Sequence, residues 1–204
     1  MTIYRLDGIV YVISNEWRTC MPTSNSEDKK KSILIAAADI VKEEGVAKLT
    51  LEAVAKKAGL SKGGLLYHYS NKEALIKGMV QDWTYNYFNS IETLIKNNTK
   101  SKVSSWTDAY IKATLSDLNN DKRLSSALIA AMFTNPSLLE EYKKEYHILL
   151  GKLMNDDIDP IKVTIIRLAI DGFWFSEIFE LSPLDEKLKN GVIHKLSRMI
   201  KEEE

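Results

Sequence analysis

Residues 50–69 of the chain read TLEAVAKKAGLSKGGLLYHY, and this stretch decides the fold of the N-terminal region. Thr50 is a good N-cap for a helix over residues 51–58, in which apolar residues recur on one face. Gly59 is placed to end that helix in the left-handed conformation, and Ser61 then caps a helix over residues 62–69. Two short amphipathic helices joined by a tight glycine turn predict a helix-turn-helix, which can lay its second helix in the major groove of DNA.

Helical periodicity extends on both sides of this stretch. Upstream, apolar residues recur from Ser32 until Gly45 ends the pattern, and downstream Ser70 to Glu73 cap a helix that runs to about Lys96. Further helices are predicted over 105–118, 122–133, 137–154, 160–181 and 184–201, each bounded by Asn, Asp, Ser or Pro. We therefore expect an all-α protein of about nine helices, with a three-helix module at 29–75 and a helical body at 76–204.

Composition excludes several classes of protein. With 45% hydrophobic and 27% charged residues in 204, the chain is neither disordered nor fibrous, and its 4 Pro and 9 Gly favour long helices. Cys20, the single cysteine, cannot form an intramolecular disulfide, which indicates a reducing compartment such as the cytoplasm. No apolar run approaches the roughly 20 residues needed to cross a bilayer, so we expect no membrane partner.

Residues 1–28 differ from the rest of the chain. Residues 2–13 are rich in Ile, Val and Tyr, which are typical of strands, and residues 21–28 are polar, as in a linker. This segment is either a real N-terminal arm or an over-extended start that precedes the true Met21. The second interpretation is favoured, so the segment is left out of the predicted fold.

Charge is distributed unevenly along the chain. Overall, 28 Lys and Arg balance 28 Asp and Glu, but residues 29–78 contain ten basic and five acidic residues. A basic module before a more acidic body is typical of a nucleic-acid reader joined to a regulatory domain. Lysine-rich helix surfaces also arise for solubility, so charge alone leaves both interpretations open.

The module resembles the tetracycline-repressor-like (TetR/AcrR) family over about a quarter of the chain. The resemblance rests on ILIAAA at 33–38, LEAVAKKAGLSKG at 51–63 and LYHYSNKEAL at 66–75. It implies a homodimer that represses transcription by binding a near-palindromic operator in double-stranded DNA. It also implies that a small molecule entering the C-terminal body, at 76–204, releases the DNA, and that this body carries the dimerisation surface.

Residue by residue, the resemblance assigns DNA contacts to the helix-turn-helix. Thr50 and Leu51 would begin the helix that touches the DNA backbone. The residues expected to face base edges are Lys62, Gly63 and Gly64, and those expected to contact phosphates are Tyr67, His68 and Lys72. The chain departs from the family at Gly64 and Leu66, where a small hydroxyl residue and a tyrosine are usual, so Lys62 remains the best hydrogen-bond donor. Tyr69 is expected to close the small core instead.

The body is rich in aromatic residues, which suit a cavity for an apolar or aromatic effector of unknown identity. The candidates for effector binding are Trp83, Tyr87, Trp106, Tyr110, Phe133, Asp171 and Trp174. Aromatic residues at helical spacing also form ordinary cores. Asp171 could pair with another side chain, contact a ligand or face the subunit boundary, since a buried acid is costly unless it is paired. The resemblance also implies that the last two helices form the dimer surface. Periodicity does not say which of their faces is seam and which is core, and the candidate seam positions are Ile165, Leu168, Ile193, Leu196 and Ile200.

Two other classes of function are less consistent with the sequence. An enzyme is disfavoured because His68, His147 and His194 lie in different helices, with no nucleophile at motif spacing and no phosphate-binding glycine loop. No catalytic residue, metal or cofactor is expected. The alternative function is that of a helical adaptor or interaction protein that no longer binds DNA.

Overall fold

A computed structural model describes residues 2–6, 9–13, 25–97, 105–119 and 122–201 of the chain. Its contacts divide the chain into two units, Met1–Lys31 and Ser32–Glu204. The first unit contains two antiparallel strands, β1 (Thr2–Leu6) and β2 (Ile9–Ile13), whose register pairs Thr2 with Ile13 and Leu6 with Ile9. The strand-like composition of residues 2–13 therefore corresponds to a hairpin, which the predicted fold omitted.

Nine α-helices are found in the described residues, as the sequence predicts. In chain order they are α1 (Asn25–Glu44), α2 (Leu51–Lys57), α3 (Lys62–His68), α4 (Lys72–Asn97), α5 (Trp106–Leu118), α6 (Lys122–Thr134), α7 (Pro136–Met154), α8 (Pro160–Ile178) and α9 (Glu186–Met199). A single 3₁₀ turn, Val46–Lys48, joins α1 to α2. Over residues 25–201 the all-α prediction is confirmed.

The caps foreseen in the sequence hold the small helices in place. The Thr50 hydroxyl accepts a hydrogen bond from the Ala53 N–H, and the Ser61 hydroxyl accepts one from the Gly64 N–H, each at 3.1 Å. Between them Gly59 has φ +68°, a conformation that costs a residue with a Cβ about 1–2 kcal/mol. These three residues fix the turn between α2 and α3.

One core joins the helix-turn-helix to the start of α4 and to part of the body. Its buried members come from α1, α2, α3 and α4 and from Leu49 just before α2, together with Leu128, Ile129 and Met132 of α6 and Leu138 of α7. Tyr69 packs against this core, as expected, and lies so close to Gly78 that a Cβ there would meet its ring at 2.6 Å. Residues 32–204 accordingly form one compact unit, and the predicted domain boundary at residue 75 stays a prediction.

A second core holds the far end of the body together. It contains Ile91 of α4 with buried residues of α5, α7, α8 and α9, the largest being Tyr110, Ile111, Leu153, Ile166 and Ile170. Leu196 is part of this core and Ile193 is also buried, so of the two possibilities, seam or core, the structure assigns both residues to the interior of their own subunit. They lie on the apolar face with which α9 packs on its own subunit.

Some helix boundaries differ from the predicted ones. α1 begins at Asn25 and not at Ser32, and Glu27 and Asp28 in its first turn have the charge that a helix N-terminus favours. α8 ends at Ile178, because Glu180 and Ser182 take positive φ and turn the chain. Hydrophobic periodicity detects neither the acidic first turn of α1 nor the backbone turn that ends α8.

The N-terminus of α5 is capped from a distant part of the chain. Asp156, which follows α7, accepts hydrogen bonds from the backbone N–H of Trp106 at 3.0 Å and of Thr107 at 2.7 Å. The hydroxyls of Ser105 and Thr107 donate to the same carboxylate at 2.8 and 2.6 Å. Asp156 thus ties the α7–α8 connection to the start of α5.

We predict that Asp156→Ala lowers the free energy of unfolding by roughly 1–3 kcal/mol, because it leaves several donors at the α5 N-terminus without their partner. The measurement is chemical denaturation followed by circular dichroism. Asp157→Ala removes the same charge from the neighbouring exposed residue and is the control. Equal losses in the two variants would contradict the capping role.

Candidate functional site: a helix-turn-helix surface and an aromatic cavity

The helix α3 presents an exposed face that the fold itself does not use. Leu65 is fully buried and anchors the helix, whereas the Tyr67 side chain is 83% exposed. A Cβ added to Gly63 would meet no atom within 4 Å, so packing within the chain does not require glycine at this position. An open face at the start of a short helix lets another molecule approach the backbone closely.

Lys62 lies on this face and is exposed. Its ammonium donates a hydrogen bond to Glu52 Oε1 of α2 at 2.5 Å, and this bond lowers the pKa of the Glu52 carboxyl. Because both side chains are exposed, water and salt screen the pair, and a phosphate or a base edge can replace Glu52 as the acceptor. The predicted donor is therefore available after a local exchange of partners.

The other predicted DNA-contact residues occupy several environments. Thr50 is exposed at the start of α2, but the Leu51 side chain packs against the core, which leaves its backbone as the part nearest the surface. Gly64 is half-buried beside the Ser61 hydroxyl. His68 and Lys72 are also half-buried, and the His68 ring meets the Tyr67 ring edge-on at 5.1 Å. The arrangement gathers all eight predicted residues around α2, α3 and the start of α4.

A second candidate site lies inside the body, where α4, α5, α7 and α8 enclose a cavity of about 30 Å³. That volume holds about one water molecule, so the lining side chains leave little free space between them. The residues around it are Trp83, Tyr87, Tyr110, Thr114, Asp117, Tyr142, Tyr146, Asp171 and Trp174. Five of the seven predicted effector-binding residues are among them.

The remaining two predicted residues lie elsewhere. Phe133 is 69% exposed on α6 and does not line the cavity, because the buried residues of that helix, including Met132, turn toward the first core. Trp106 lines a separate crevice between α4 and α7, where the Lys152 ammonium lies 4.4 Å from the centre of its ring. The aromatic pattern identified both residues, but periodicity alone did not predict whether each side chain faces the cavity, another crevice or solvent.

Asp171 connects three helices at the edge of the cavity. Its carboxylate accepts hydrogen bonds from the Tyr110 hydroxyl and, at 2.5 Å, from the Tyr146 hydroxyl. Arg167, one turn earlier on α8, approaches Asp171 Oδ2 and the Tyr146 hydroxyl at 3.3 Å each. Of the possibilities open for Asp171, the structure shows that it pairs with other side chains of the same chain. Contact with a ligand stays a prediction.

A second carboxylate, Asp117, lies deeper in the wall. It is buried at the end of α5 and accepts a hydrogen bond from the Trp174 indole N–H at 2.8 Å. Opposite, the Tyr87 hydroxyl lies 2.8 Å from the Thr114 hydroxyl. Four lining residues were not among those predicted, namely Thr114, Asp117, Tyr142 and Tyr146. A polar residue on a helix of otherwise ordinary periodicity gives no signal of facing a cavity, and an aromatic residue at helical spacing is equally typical of a core.

The rings around the cavity are in contact with one another. Trp83 stacks nearly parallel to Tyr87 and Tyr142, with centroid separations of 6.4 and 6.0 Å, and lies 6.3 Å from Trp174. The Trp83 indole N–H is buried and has no hydrogen-bond partner among the described residues. A buried unpaired donor costs free energy, which an acceptor atom of a bound molecule would relieve.

Burial raises the pKa of the Tyr87, Tyr110 and Tyr142 phenols, and the negative charge of Asp171 acts in the same direction on all three. For the Tyr146 phenol, burial again comes first among the causes that raise the pKa, and its hydrogen bond to Asp171 comes second. All four phenols are therefore neutral at physiological pH and act as hydrogen-bond donors or acceptors.

Comparison with known proteins agrees with this architecture. The family model described as bacterial regulatory proteins, tetR family, matches residues 33–79, and the model described as tetracyclin repressor-like, C-terminal domain, matches residues 104–201. No curated protein matches the chain significantly. The chain belongs to the TetR family of transcriptional regulators and is a DNA-binding transcriptional regulator.

Solved structures share the fold at low sequence identity. The multidrug binding protein EbrR complexed with imidazole is 19% identical, with a TM-score of 0.59, over 83% of this chain and 89% of that chain. Other EbrR structures are complexes with malachite green and with ethidium. A TetR-family member from Streptomyces coelicolor A3, SCO1917, is also 19% identical, with a TM-score of 0.61, over 83% and 98% of the two chains. The fatty acid degradation regulator FadR from Bacillus halodurans is 18% identical, with a TM-score of 0.62, over 88% and 96%.

No helix in the described part of the chain is long and apolar enough to cross a membrane. Within the same residues, no group of three or more His, Cys, Asp or Glu side chains could hold a metal ion.

We predict that Lys72→Ala makes the negative slope of log affinity against log salt concentration shallower by about one unit, since one phosphate contact is lost. The measurement is fluorescence anisotropy with a mixed-sequence DNA duplex at several salt concentrations. Lys77→Ala removes the same charge from an exposed position further along α4 and should leave the slope unchanged. An unchanged slope for Lys72→Ala would remove this residue from the DNA contacts.

Proposed function

We propose that the protein is a ligand-responsive repressor, which binds a near-palindromic operator as a homodimer and releases it when a small molecule enters the cavity. The observation that carries this proposal is the course of α4. Its first turns share a core with the helix-turn-helix, and Trp83 and Tyr87 further along the same helix line the cavity. A change at the cavity can therefore move the DNA-binding surface without an intermediate element.

Release of DNA follows from differential affinity. A molecule that binds one orientation of α4 better than another shifts the population toward that orientation. In a dimer, the two α3 helices must reach successive major grooves, roughly 34 Å apart on B-DNA. A tilt of α4 in each subunit changes that separation, and operator affinity falls.

The dimerisation surface is proposed on α8. Five apolar residues recur at intervals of three, four or seven along one face and are exposed, namely Ile161, Ile165, Leu168, Phe175 and Phe179. Gly172 lies on the same face, where nothing in the chain lies within 4 Å of an added Cβ. A contiguous apolar stripe of this length is typical of a surface covered by another helix. The seam predicted at Ile165 and Leu168 falls on it, whereas Ile200 packs against the second core.

We predict that Ile165→Glu converts the dimer to a monomer at micromolar concentration, because it places a charge in the apolar seam. Analytical ultracentrifugation gives the mass in solution. Ile148→Glu is the matched control, since Ile148 on α7 has an exposed fraction of 52% against 49% for Ile165. A wild-type chain that sediments as a monomer, or an Ile165→Glu variant that stays dimeric, would contradict this seam.

Operator binding is tested by selection from a pool of random DNA duplexes with the purified protein. We expect enrichment of an inverted repeat, with each half-site read by one α3 helix. Tyr67→Ala should lower affinity for the selected repeat by about tenfold, and Tyr85→Ala, on an exposed part of α4, should not. If the pool shows no enrichment, the protein does not read DNA, and the adaptor function becomes the better explanation.

The proposed effector is an aromatic small molecule. Six aromatic rings surround the cavity, and such rings bind planar apolar surfaces well. The ligands in the EbrR structures include two dyes with several aromatic rings, ethidium and malachite green, which supports this class for a related fold. Because the cavity holds about 30 Å³, an effector of that size requires movement of the rings that fill it.

A further inference from the structure

We propose that the cavity selects a planar organic cation over a neutral molecule of the same shape, and that Asp171 exchanges Arg167 for the positive charge of that ligand. The proposal rests on the proposed effector site and specifies the charge of its ligand.

The wall of the cavity is electrostatically one-sided. The described residues that line it include the carboxylates Asp117 and Asp171, and none of them is Lys, Arg or His. The faces of the surrounding Trp and Tyr rings carry negative electrostatic potential, which attracts a cation within about 6 Å. An anion in the cavity would meet two carboxylates and no basic side chain of the lining, whereas a delocalised cation would meet ring faces and, once Arg167 leaves Asp171, a free carboxylate.

The contacts of Asp171 are of two kinds. Tyr110 and Tyr146 donate short hydrogen bonds from the buried side of the network. Arg167 approaches at 3.3 Å, which is long for a charge-assisted hydrogen bond, and its Nε has no partner among the described residues. Arg167 is thus the donor with the longest contacts in the network, since its second hydrogen bond, to the Tyr146 hydroxyl, also measures 3.3 Å.

The exposure of the pair makes the exchange physically accessible. The Arg167 side chain is 21% exposed and the Asp171 side chain 36%, so both reach the solvent edge of the site. When Arg167 swings out, its guanidinium is hydrated, and the Asp171 carboxylate keeps both tyrosine donors. A ligand cation that takes the vacated position restores the neutralised pair, which a neutral ligand cannot do.

The test compares two probes of nearly identical shape, N-methylphenanthridinium and phenanthridine, which is neutral at pH 8. Binding to the full chain is measured by calorimetry and by quenching of tryptophan fluorescence. We expect the cation to bind at least about tenfold more tightly than the neutral probe. Equal affinities, or no binding of the cation up to its solubility, would overturn the proposal.

Three variants assign the effect to the proposed residues. Asp171→Asn keeps the shape of the side chain and should weaken cation binding by about tenfold without changing the affinity for phenanthridine. Arg167→Met removes the competitor and should strengthen cation binding several-fold. Glu140→Gln, which removes a charge from an exposed site on α7, is the control and should change neither. If Asp171→Asn lowered the affinity for both probes equally, Asp171 would have a structural role, and the proposed exchange would be overturned.

The outcome is separable from that of the proposed function. Binding of the selected operator is measured with the same preparations in the absence of any probe. If DNA binding fails while the cation preference holds, the repressor proposal falls and the ligand class stands. If DNA binding holds while both probes bind equally, the ligand class alone falls.

Discussion

The continuity of α4 is the constraint on which the rest of the structure depends. Leu75 and Met79 pack with the helix-turn-helix, whereas Ile91 packs with α5, α7, α8 and α9. The stretch between them carries Trp83 and Tyr87 into the cavity wall. Because close-packed cores transmit strain, a helix anchored in both cores is the element through which the proposed effector site would act on the DNA-binding surface.

The extent to which sequence predicted the structure depends on the kind of signal. Thr50, Gly59, Ser61 and Asn71 act through their own backbone neighbourhood, so their roles as caps and turn were readable, and Asn71 accepts a hydrogen bond from the Ala74 N–H at 2.7 Å. The strands β1 and β2 are not in the predicted fold, because the strand-like composition of residues 2–13 does not decide between an arm and an over-extended start. The dipeptide Asp7-Gly8, between the two strand-like stretches, is a sequence signal for antiparallel pairing.

The candidate sites were less predictable than the helices. Five residues of the cavity wall were predicted, four of them from their aromatic side chains. The partners of Asp171 come from α5, α7 and α8, and no local sequence pattern predicts that these three helices bring their side chains together. Periodicity also gives an apolar stripe without saying what covers it. On α9 that stripe is covered by the same chain, as Leu196 shows, whereas on α8 a second stripe is left exposed at Leu168.

The small size of the cavity has a kinetic consequence. Since Trp83, Tyr142 and Trp174 already fill the interior, a ligand with several rings cannot enter until these side chains rearrange. For the proposed effector, entry would then be limited by the rate at which the interior opens. At high ligand concentration the observed rate would reach a plateau set by the protein alone.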